Sequence, residues 1–308
     1  MRHITFVSFV LGFAGVVASG VAASGADVDA YVKAQRPLPE RSMVPRAGFF
    51  VGVGGSAQSL DFGTQDVYAV GTSDVFTNGV LTSSGSAAGP ATLYPDHKVQ
   101  IAFSAQAGYF ARFSGSDWLW GAKFGYSYLG ASSSIRAALL PQVGSFTPTG
   151  TTTVVPFTGN ALVASYQVHV DHQMTFVPFI GRAFDRGFVY FGAGPTLTQV
   201  RTDLNGLIGF ADLNGNRTNV SGAPINLTSK SWVLGGAAMV GVTYFLDPTW
   251  FIDVNYMFAM TGNNTASYAS PFTNPNGTGG TTNQGTMVGT ATARTQTQAV
   301  TVTINKLF

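Results

Sequence analysis

One short segment of the chain collects the residue types that carry acid–base or metal chemistry. His169, Asp171 and His172 stand together, and Ser165 precedes them. A histidine beside a carboxylate can orient a general base or hold a metal ion. In an extended strand, however, residues i and i+2 stand about 7 Å apart, and the sequence offers no third metal ligand and no catalytic motif around Ser165. We therefore interpret this segment as a polar surface.

Two further patterns come close to ligand-binding motifs. Residues 52–57 read Gly-Val-Gly-Gly-Ser-Ala, but no helix pattern follows that could receive a dinucleotide's pyrophosphate. Residues 212–216 read Asp-Leu-Asn-Gly-Asn, but Ala223 stands where a calcium loop needs its bidentate glutamate. An Asn-Gly turn accounts for the second pattern, while loose calcium binding at the surface stays open. The sequence thus assigns no catalytic residue, no cofactor and no metal site, and we predict that the protein is not an enzyme.

The composition indicates surroundings of low polarity. Charged residues make up 10% of the 308 residues, whereas a soluble domain carries about a quarter. The net charge of +2 offers no cationic field for nucleic acid, and the absence of cysteine excludes disulfides and thiolate metal sites. Because the net charge is low and Phe, Tyr and Trp are plentiful, at 24, 11 and 4 residues, the chain is not expected to be disordered. Lipid is the medium that accounts for the missing charge.

The N-terminus predicts export from the cytoplasm. Arg2 and His3 precede an uncharged run, residues 4–17, which small residues follow. This is the layout of a secretory signal peptide, and the apolar run is shorter than the roughly 20 residues of a spanning helix. We predict a cleaved signal over residues 1–26, with cleavage after Ala23 or Ala26. Residues 27–46, rich in charge and proline, are predicted to be an exposed periplasmic lead segment, and residues 47–308 the folded domain.

Alternation of polar and apolar residues predicts that this domain is a closed β-barrel. The longest remaining apolar run, residues 232–246, contains three glycines and is too short to span a membrane as a helix. A closed barrel is the other structure that satisfies its whole backbone in lipid. We predict an all-β, antiparallel, up-and-down transmembrane barrel of about eight strands, with ten left open, over residues 48–60, 98–113, 118–130, 163–183, 188–201, 230–246, 250–261 and 292–308.

The connections alternate between short and long. Residues 114–117, 184–187 and 246–249 read as tight turns, whereas residues 61–97, 131–162, 202–229 and 262–291 read as long loops. Short periplasmic turns and long extracellular loops are typical of outer-membrane barrels. Aromatic residues flank the tight turns and are predicted to form an interface belt: Trp118, Trp250, Phe188, Tyr190 and Tyr244. The same alternation directs His169 and Asp171 into the lumen, at a polar rim above the membrane.

The C-terminus carries a resemblance to a known superfamily. The chain ends on Phe308, with Ile304, Val302 and Val300 at alternating positions before it and Lys306 interrupting the apolar pattern. This resembles the assembly signal of Gram-negative outer-membrane proteins. Together with the eight strands and three turns, residues 47–308 resemble the small eight-stranded barrels of the OmpA, OmpX and opacity-protein type. The resemblance lies in layout and covers the whole predicted domain.

The resemblance implies insertion by the outer-membrane assembly machinery and exposure of the loops at the cell surface. The superfamily includes adhesins, stabilisers, small pores and a few lipid-modifying enzymes. We expect a structural or surface-interaction role through the loops; a narrow pore for small solutes and, further off, a lipid-modifying enzyme are the alternatives. The expected partners are outer-membrane lipid, lipopolysaccharide, the assembly machinery and an extracellular partner at the loops, and no nucleic acid.

The alternation also predicts an ion pair in the lumen. Lys123 and Asp253 both fall on the inward face, each a few residues from a tight turn. Their strands are four apart in an eight-stranded barrel, so the two side chains lie across the lumen from each other. Because unpaired charges in a confined interior are costly, we predict that they pair and that Arg112, on the neighbouring strand, joins them.

Overall fold

The chain forms an all-β structure. The computed structural model describes residues 42–213, 215–276 and 280–308; the predicted signal peptide and residues 27–41 lie outside the described residues. Within the described part, thirteen strands form a single sheet: β1 (Ala47–Asp61), β2 (Gln65–Thr77), β3 (Val80–Leu93), β4 (Lys98–Arg112), β5 (Trp118–Pro148), β6 (Val155–Phe184), β7 (Gly187–Leu213), β8 (Asn216–Asn219), β9 (Ile225–Asp247), β10 (Trp250–Thr261), β11 (Asn264–Asn276), β12 (Thr281–Ala293) and β13 (Gln296–Leu307). No helix of the described residues is long and apolar enough to cross a membrane.

Eight of these strands close into a barrel. The antiparallel pairs run β1–β4–β5–β6–β7–β9–β10–β13 and return from β13 to β1. Each strand in this ring therefore has two partners, so the ring exposes no sheet edge to lipid. The prediction of a closed antiparallel barrel of eight strands is confirmed.

Tight turns connect the strands at one end of the barrel, as predicted. β6 and β7 are joined by Asp185 and Arg186, and β9 and β10 by Pro248 and Thr249. The Asp247 carboxylate accepts hydrogen bonds from the backbone N–H groups of Thr249 and Trp250. Such a side-chain cap holds a short turn in place.

The prediction of four long loops at the other end was wrong, because most of these residues form sheet. β5, β6, β7 and β9 run on beyond the closed ring, and the β2–β3 and β11–β12 hairpins stand beside them in the order β11–β12–β2–β3–β5–β6–β7–β9. We call this part the outer tier: β2, β3, β11, β12 and residues 131–148, 155–170, 200–213 and 225–234. The remainder of the ring is the membrane tier: β1, β4, β10, β13 and residues 118–128, 173–184, 187–198 and 235–247. Polar loop sequences became strands because neighbouring strands supply partners for their backbone groups.

Bulges separate the two tiers, and the one in β6 reverses the side-chain alternation of that strand. The register shifts between Tyr128 and Ala131 in β5 and between Val170 and Gln173 in β6. An extra residue moves every later side chain to the opposite face. Below the bulge, Gln173 lies inside the barrel; above it, Val168 and Val170 do. His169 therefore lies on the outer face, and its predicted lumenal position was wrong.

The two tiers have opposite polarity. Large apolar side chains of the membrane tier are exposed on its outside, among them Val51, Val53, Ile101 and Phe103, and its lumen holds buried polar residues. In the outer tier the buried interior is an apolar cluster that includes Leu140, Val163 and Leu204. Lipid therefore surrounds the membrane tier and water surrounds the outer tier, because apolar surface is stable only away from water.

The end of the predicted lead segment belongs to the fold. Val44 is buried in the apolar cluster at the turn end of the barrel, and Met43 packs against that cluster. The backbone N–H of Met43 donates to the carbonyl of Asp185, and the carbonyl of Arg46 accepts from Arg112. For residues 42–45, which are buried or half-buried, the prediction of an exposed lead was wrong, since the chain closes the turn end through these contacts.

Candidate functional site

A buried ion pair crosses the lumen of the membrane tier. Lys123 Nζ lies 2.5 Å from Asp253 Oδ2, and both side chains are almost inaccessible to solvent. The alternation that directs both residues inward thus places them in contact.

Neutral groups complete the hydrogen bonding around this pair. The Tyr190 hydroxyl donates to Asp253 Oδ1 at 2.8 Å, and the Gln106 amide donates to Asp253 Oδ2 at 3.0 Å. Lys123 Nζ also donates to Tyr190 Oη, and the Asn255 amide lies 3.3 Å from Asp253 Oδ2. These hydrogen bonds offset part of the cost of burying the two charges in a confined interior.

Arg112 does not join the ion pair, contrary to the prediction. Its guanidinium donates to the Ser42 hydroxyl at 2.8 Å. In the β4–β5 register Gly108 stands opposite Lys123, so Arg112 lies four residues farther toward the turn end. That distance along the strand separates it from Asp253.

The predicted interface aromatics divide into two groups. Trp118, Trp250 and Tyr244 lie exposed on the outer surface near the tight turns. Phe188 and Tyr190 are only 2% and 3% exposed, so their prediction as interface residues was wrong.

The sequence contained a signal that Phe188 and Tyr190 point into the lumen. Gly192 and Gly194 read as lumenal glycines, and they share their alternation with Phe188 and Tyr190. The outward positions of β7 are instead Val189 and Phe191, both exposed. Val189 and Phe191 were not predicted to be outward-facing residues.

The inward aromatic rings close the turn end of the lumen. Neighbouring ring centroids lie 4.9 to 6.5 Å apart in a layer made of Phe50, Phe110, Phe179, Phe188, Phe245 and Phe251. Such spacings are those of packed aromatic pairs. Between this layer and the outer tier, a cavity of about 30 Å³ beside Gln106 and Lys123 is present, which has room for little more than water.

The predicted assembly signal forms a strip on the outer surface. Val300, Val302 and Ile304 are exposed along β13, and Phe308 follows at its end. β13 pairs with β1 and β10 and so closes the barrel. The role of this strip in assembly stays a prediction.

The outer tier encloses an apolar cavity of about 260 Å³. Side chains from all eight of its strands line the cavity, and the lining contains no charged residue. The apolar part of the lining includes Val67, Leu140, Ala161, Leu204, Leu207, Leu227, Phe272 and Met287. A smaller apolar cavity, of about 150 Å³, is sufficient to bind benzene. This is the concave, mostly apolar surface from which small-molecule sites are built, and neither its existence nor its lining was predicted.

Polar groups are arranged at the inner wall of this tier. The Tyr166 hydroxyl donates to Gln65 Oε1 at 2.9 Å, and the Gln65 amide donates to the carbonyl of Phe62 at 2.7 Å. Burial raises the pKa of Tyr166 and of Tyr268. Both hydroxyls therefore stay protonated at neutral pH.

The histidine segment forms surface contacts at the tier boundary. His169 Nε2 lies 3.3 Å from Asp203 Oδ2, and Arg201 Nε lies 3.1 Å from the same oxygen. Ser165 instead bonds with Ser134 and Gln167, so these contacts form no nucleophile–base pair. Among the described residues, no group of three or more His, Cys, Asp or Glu side chains is placed to hold a metal ion.

The two motif-like patterns take ordinary strand and turn structures. Residues 52–57 lie in the middle of β1, paired on both sides. Asp212 pairs with Arg217 in the β7–β8 hairpin, and Gly215 has a φ of +80° beside it. That backbone conformation favours glycine, as the Asn-Gly turn prediction requires.

The sequence and structure were compared with those of known proteins. No family model and no curated protein matches the sequence. Among solved structures, the chain is similar to OprG from Pseudomonas aeruginosa, at 11% identity, a TM-score of 0.38 and coverage of 87% of this chain and 99% of that one. It is also similar to Ail from Yersinia pestis (12%, TM-score 0.22, 78% and 98%) and to Neisserial surface protein A (10%, TM-score 0.26, 80% and 97%).

The strand pairing and the exposed surface of this chain together identify its architecture. A closed antiparallel ring of eight strands presents apolar side chains outward and encloses a polar layer around Lys123 and an aromatic layer at the turn end. Only lipid accommodates that outer surface, and closed barrels of this size with tight turns at one end are outer-membrane proteins. The chain has the fold of the small eight-stranded outer-membrane barrels, and its membrane tier lies in the outer membrane.

Proposed function

We propose that this outer-membrane barrel binds a small apolar molecule inside its outer tier, on the extracellular side of the membrane. The observation that carries the proposal is the cavity of about 260 Å³ lined without any charged residue. The proposal narrows the surface-interaction role expected from the sequence. It assigns that role to the inside of the outer tier instead of to flexible loops.

The closed lumen favours binding over a narrow pore. The aromatic layer and the Lys123–Asp253 pair lie in series between the cavity and the turn end. A solute that enters the outer tier thus meets a filled interior below it. The third alternative, a lipid-modifying enzyme, lacks support because His169 makes no hydrogen bond to Ser165 among the described residues; each instead bonds to the Gln167 amide group.

Gly71 provides a direct test of the cavity. It lines the cavity, and a Cβ built on it meets no atom within 4 Å. The Cβ of a larger residue therefore fits here, and we expect a tryptophan ring to occupy the cavity. We expect wild-type protein in lipid nanodiscs to bind naphthalene saturably, measured by its fluorescence, and Gly71→Trp to lose the saturable part.

Tyr68→Trp is the matched control, because Tyr68 lies exposed on the other face of the same strand. It should bind naphthalene as the wild type does. Heat-modifiable gel mobility reports that each variant is folded. Equal naphthalene binding by wild type and Gly71→Trp, both folded, contradicts the proposal.

The remaining partners expected from the sequence fit the same arrangement. We propose that lipopolysaccharide and outer-membrane lipid contact the exposed apolar belt and that the assembly machinery recognises the strip ending at Phe308. An extracellular macromolecular partner would meet the outside of the outer tier, where Arg136 and Lys230 are exposed.

A further inference from the structure

Two hydroxyls of residues in the cavity lining, those of Tyr268 and Ser73, have no hydrogen-bond partner among the described residues, and Tyr268 is the more buried of the two. Tyr268, on β11, contributes to the lining and is 5% exposed. Its hydroxyl makes no hydrogen bond within the described residues. The Thr202 side chain is close enough to lower the pKa of this hydroxyl, but the two groups do not meet in normal hydrogen-bond geometry.

The neighbouring tyrosine shows that a partner can be supplied in this tier. Tyr166 is equally buried, and its hydroxyl donates to Gln65. Buried hydroxyls in proteins are paired as a rule, and each exception calls for an explanation. A ligand atom in the cavity would complete the pairing at Tyr268.

The chemistry of the wall narrows the ligand further. A charged molecule would find no counter-charge in the lining and would lose its hydration without compensation. A purely apolar molecule would leave the Tyr268 hydroxyl unpaired. A neutral molecule with an apolar body and one polar oxygen satisfies both parts of the wall.

Resting on the proposed function, we propose that the cavity takes a compact, neutral apolar molecule carrying a single hydroxyl group, and that the Tyr268 hydroxyl binds its oxygen. A tyrosine hydroxyl can donate to that oxygen or accept from it. Ser73 Oγ, also in the lining, is the other cavity-wall oxygen without a partner. It lies near the tip of the β2–β3 hairpin and is less buried than Tyr268, so a hydroxyl bound there would remain closer to water.

A pair of probes that differ by one hydroxyl tests the assignment. Naphthalene and 2-naphthol share a ring system, are both neutral at pH 7 and are both fluorescent. Each is titrated against barrels in nanodiscs, and Gly71→Trp in the same lipid supplies the background from membrane partition. We expect wild type to bind 2-naphthol more tightly than naphthalene.

Tyr268→Phe should weaken 2-naphthol binding about fivefold, the size of one hydrogen bond, and change naphthalene binding less than twofold. Tyr68→Phe, the same change on the exposed face, should alter neither. Because Tyr268→Phe removes an unpaired group, it should unfold at the same temperature as wild type or higher.

Three results overturn the inference. If Tyr268→Phe weakens the binding of naphthalene and 2-naphthol equally, Tyr268 has only a structural role. If 2-naphthol binding is unchanged in Tyr268→Phe, Tyr268 does not bind the ligand oxygen. Selective loss in Ser73→Ala assigns the oxygen to Ser73. Failure of both probes to bind wild type better than Gly71→Trp defeats the proposed function itself, which separates that failure from the others.

Discussion

At the scale of single residues, the lumenal charges have no alternative partner of opposite sign. Asp253 receives Lys123, Tyr190 and Gln106, and no other ion pair of the described residues involves either charged member. Taking one charge away leaves the other buried without compensation, which is costlier than removing both. We therefore expect the free energy of unfolding to fall more when one charge of the pair is removed than when both are.

Lys123→Met alone should lower the free energy of unfolding by roughly 3–5 kcal/mol. Lys123→Met combined with Asp253→Leu should lose less, because no uncompensated charge remains. Urea unfolding of the refolded barrel in micelles measures both, as a double-mutant cycle. Arg112→Met, at the rim beside Ser42, is the control and should cost below about 1 kcal/mol. Additive effects of the two lumenal changes would mean that the charges are hydrated separately.

At the scale of elements, the turns are held by local caps. Hydrogen bonds from the side chain and backbone of Thr249 hold the pKa of Asp247 below its usual value of 3.8. A depressed pKa in the folded state stabilises the fold at pH values above the unfolded pKa. That stabilisation disappears as the pH falls through the folded value.

Asp247→Ala should therefore speed unfolding at pH 7, and the difference from wild type should shrink as the pH is lowered below 4. Unfolding rates in urea, followed by tryptophan fluorescence, measure it. Asp117→Ala, in the turn before β5, is the control in the same buffers. A difference that stays constant down to acid pH would show that the cap does not act through the carboxylate.

The bulges are the second feature at this scale. The bulge in β6 lets that strand serve in two tiers of opposite polarity, since the extra residue exchanges its inward and outward faces. Gly130, with a φ of +59°, lies at the β5 bulge. In β6 the inward residues change across that strand's own bulge, from Gln173 and Thr175 to Val170 and Val168.

At the scale of the whole molecule, the barrel has a closed membrane tier, and the outer tier with its apolar cavity lies above it. The aromatic layer and the ion-pair layer block the lumen in succession, so we expect no steady ion conductance from wild-type protein in planar bilayers. The Lys123→Ala and Asp253→Ala double variant should also stay silent, because the aromatic layer remains. Stable single-channel currents from the wild type would favour the narrow-pore alternative.

Much of the membrane tier could be predicted from the sequence. Lipid outside and a polar lumen inside give each strand a strong period of two, and tight turns tie neighbouring strands in register. For that reason the sequence alone places Lys123 and Asp253 on facing strands. The same signal failed at Phe188 and Tyr190, where both faces of β7 are apolar and alternation alone does not distinguish them.

The outer tier was decided only by the tertiary structure. Its segments are rich in Thr, Ser, Asn and Gly, which contrast little between faces, and their pairing is non-local, as in β2 with β12. One-residue bulges then set which face of β6 turns inward and moved His169 to the surface. A cavity formed by side chains from eight strands has no local sequence signature, so the site around Tyr268 emerged only when those strands were brought together.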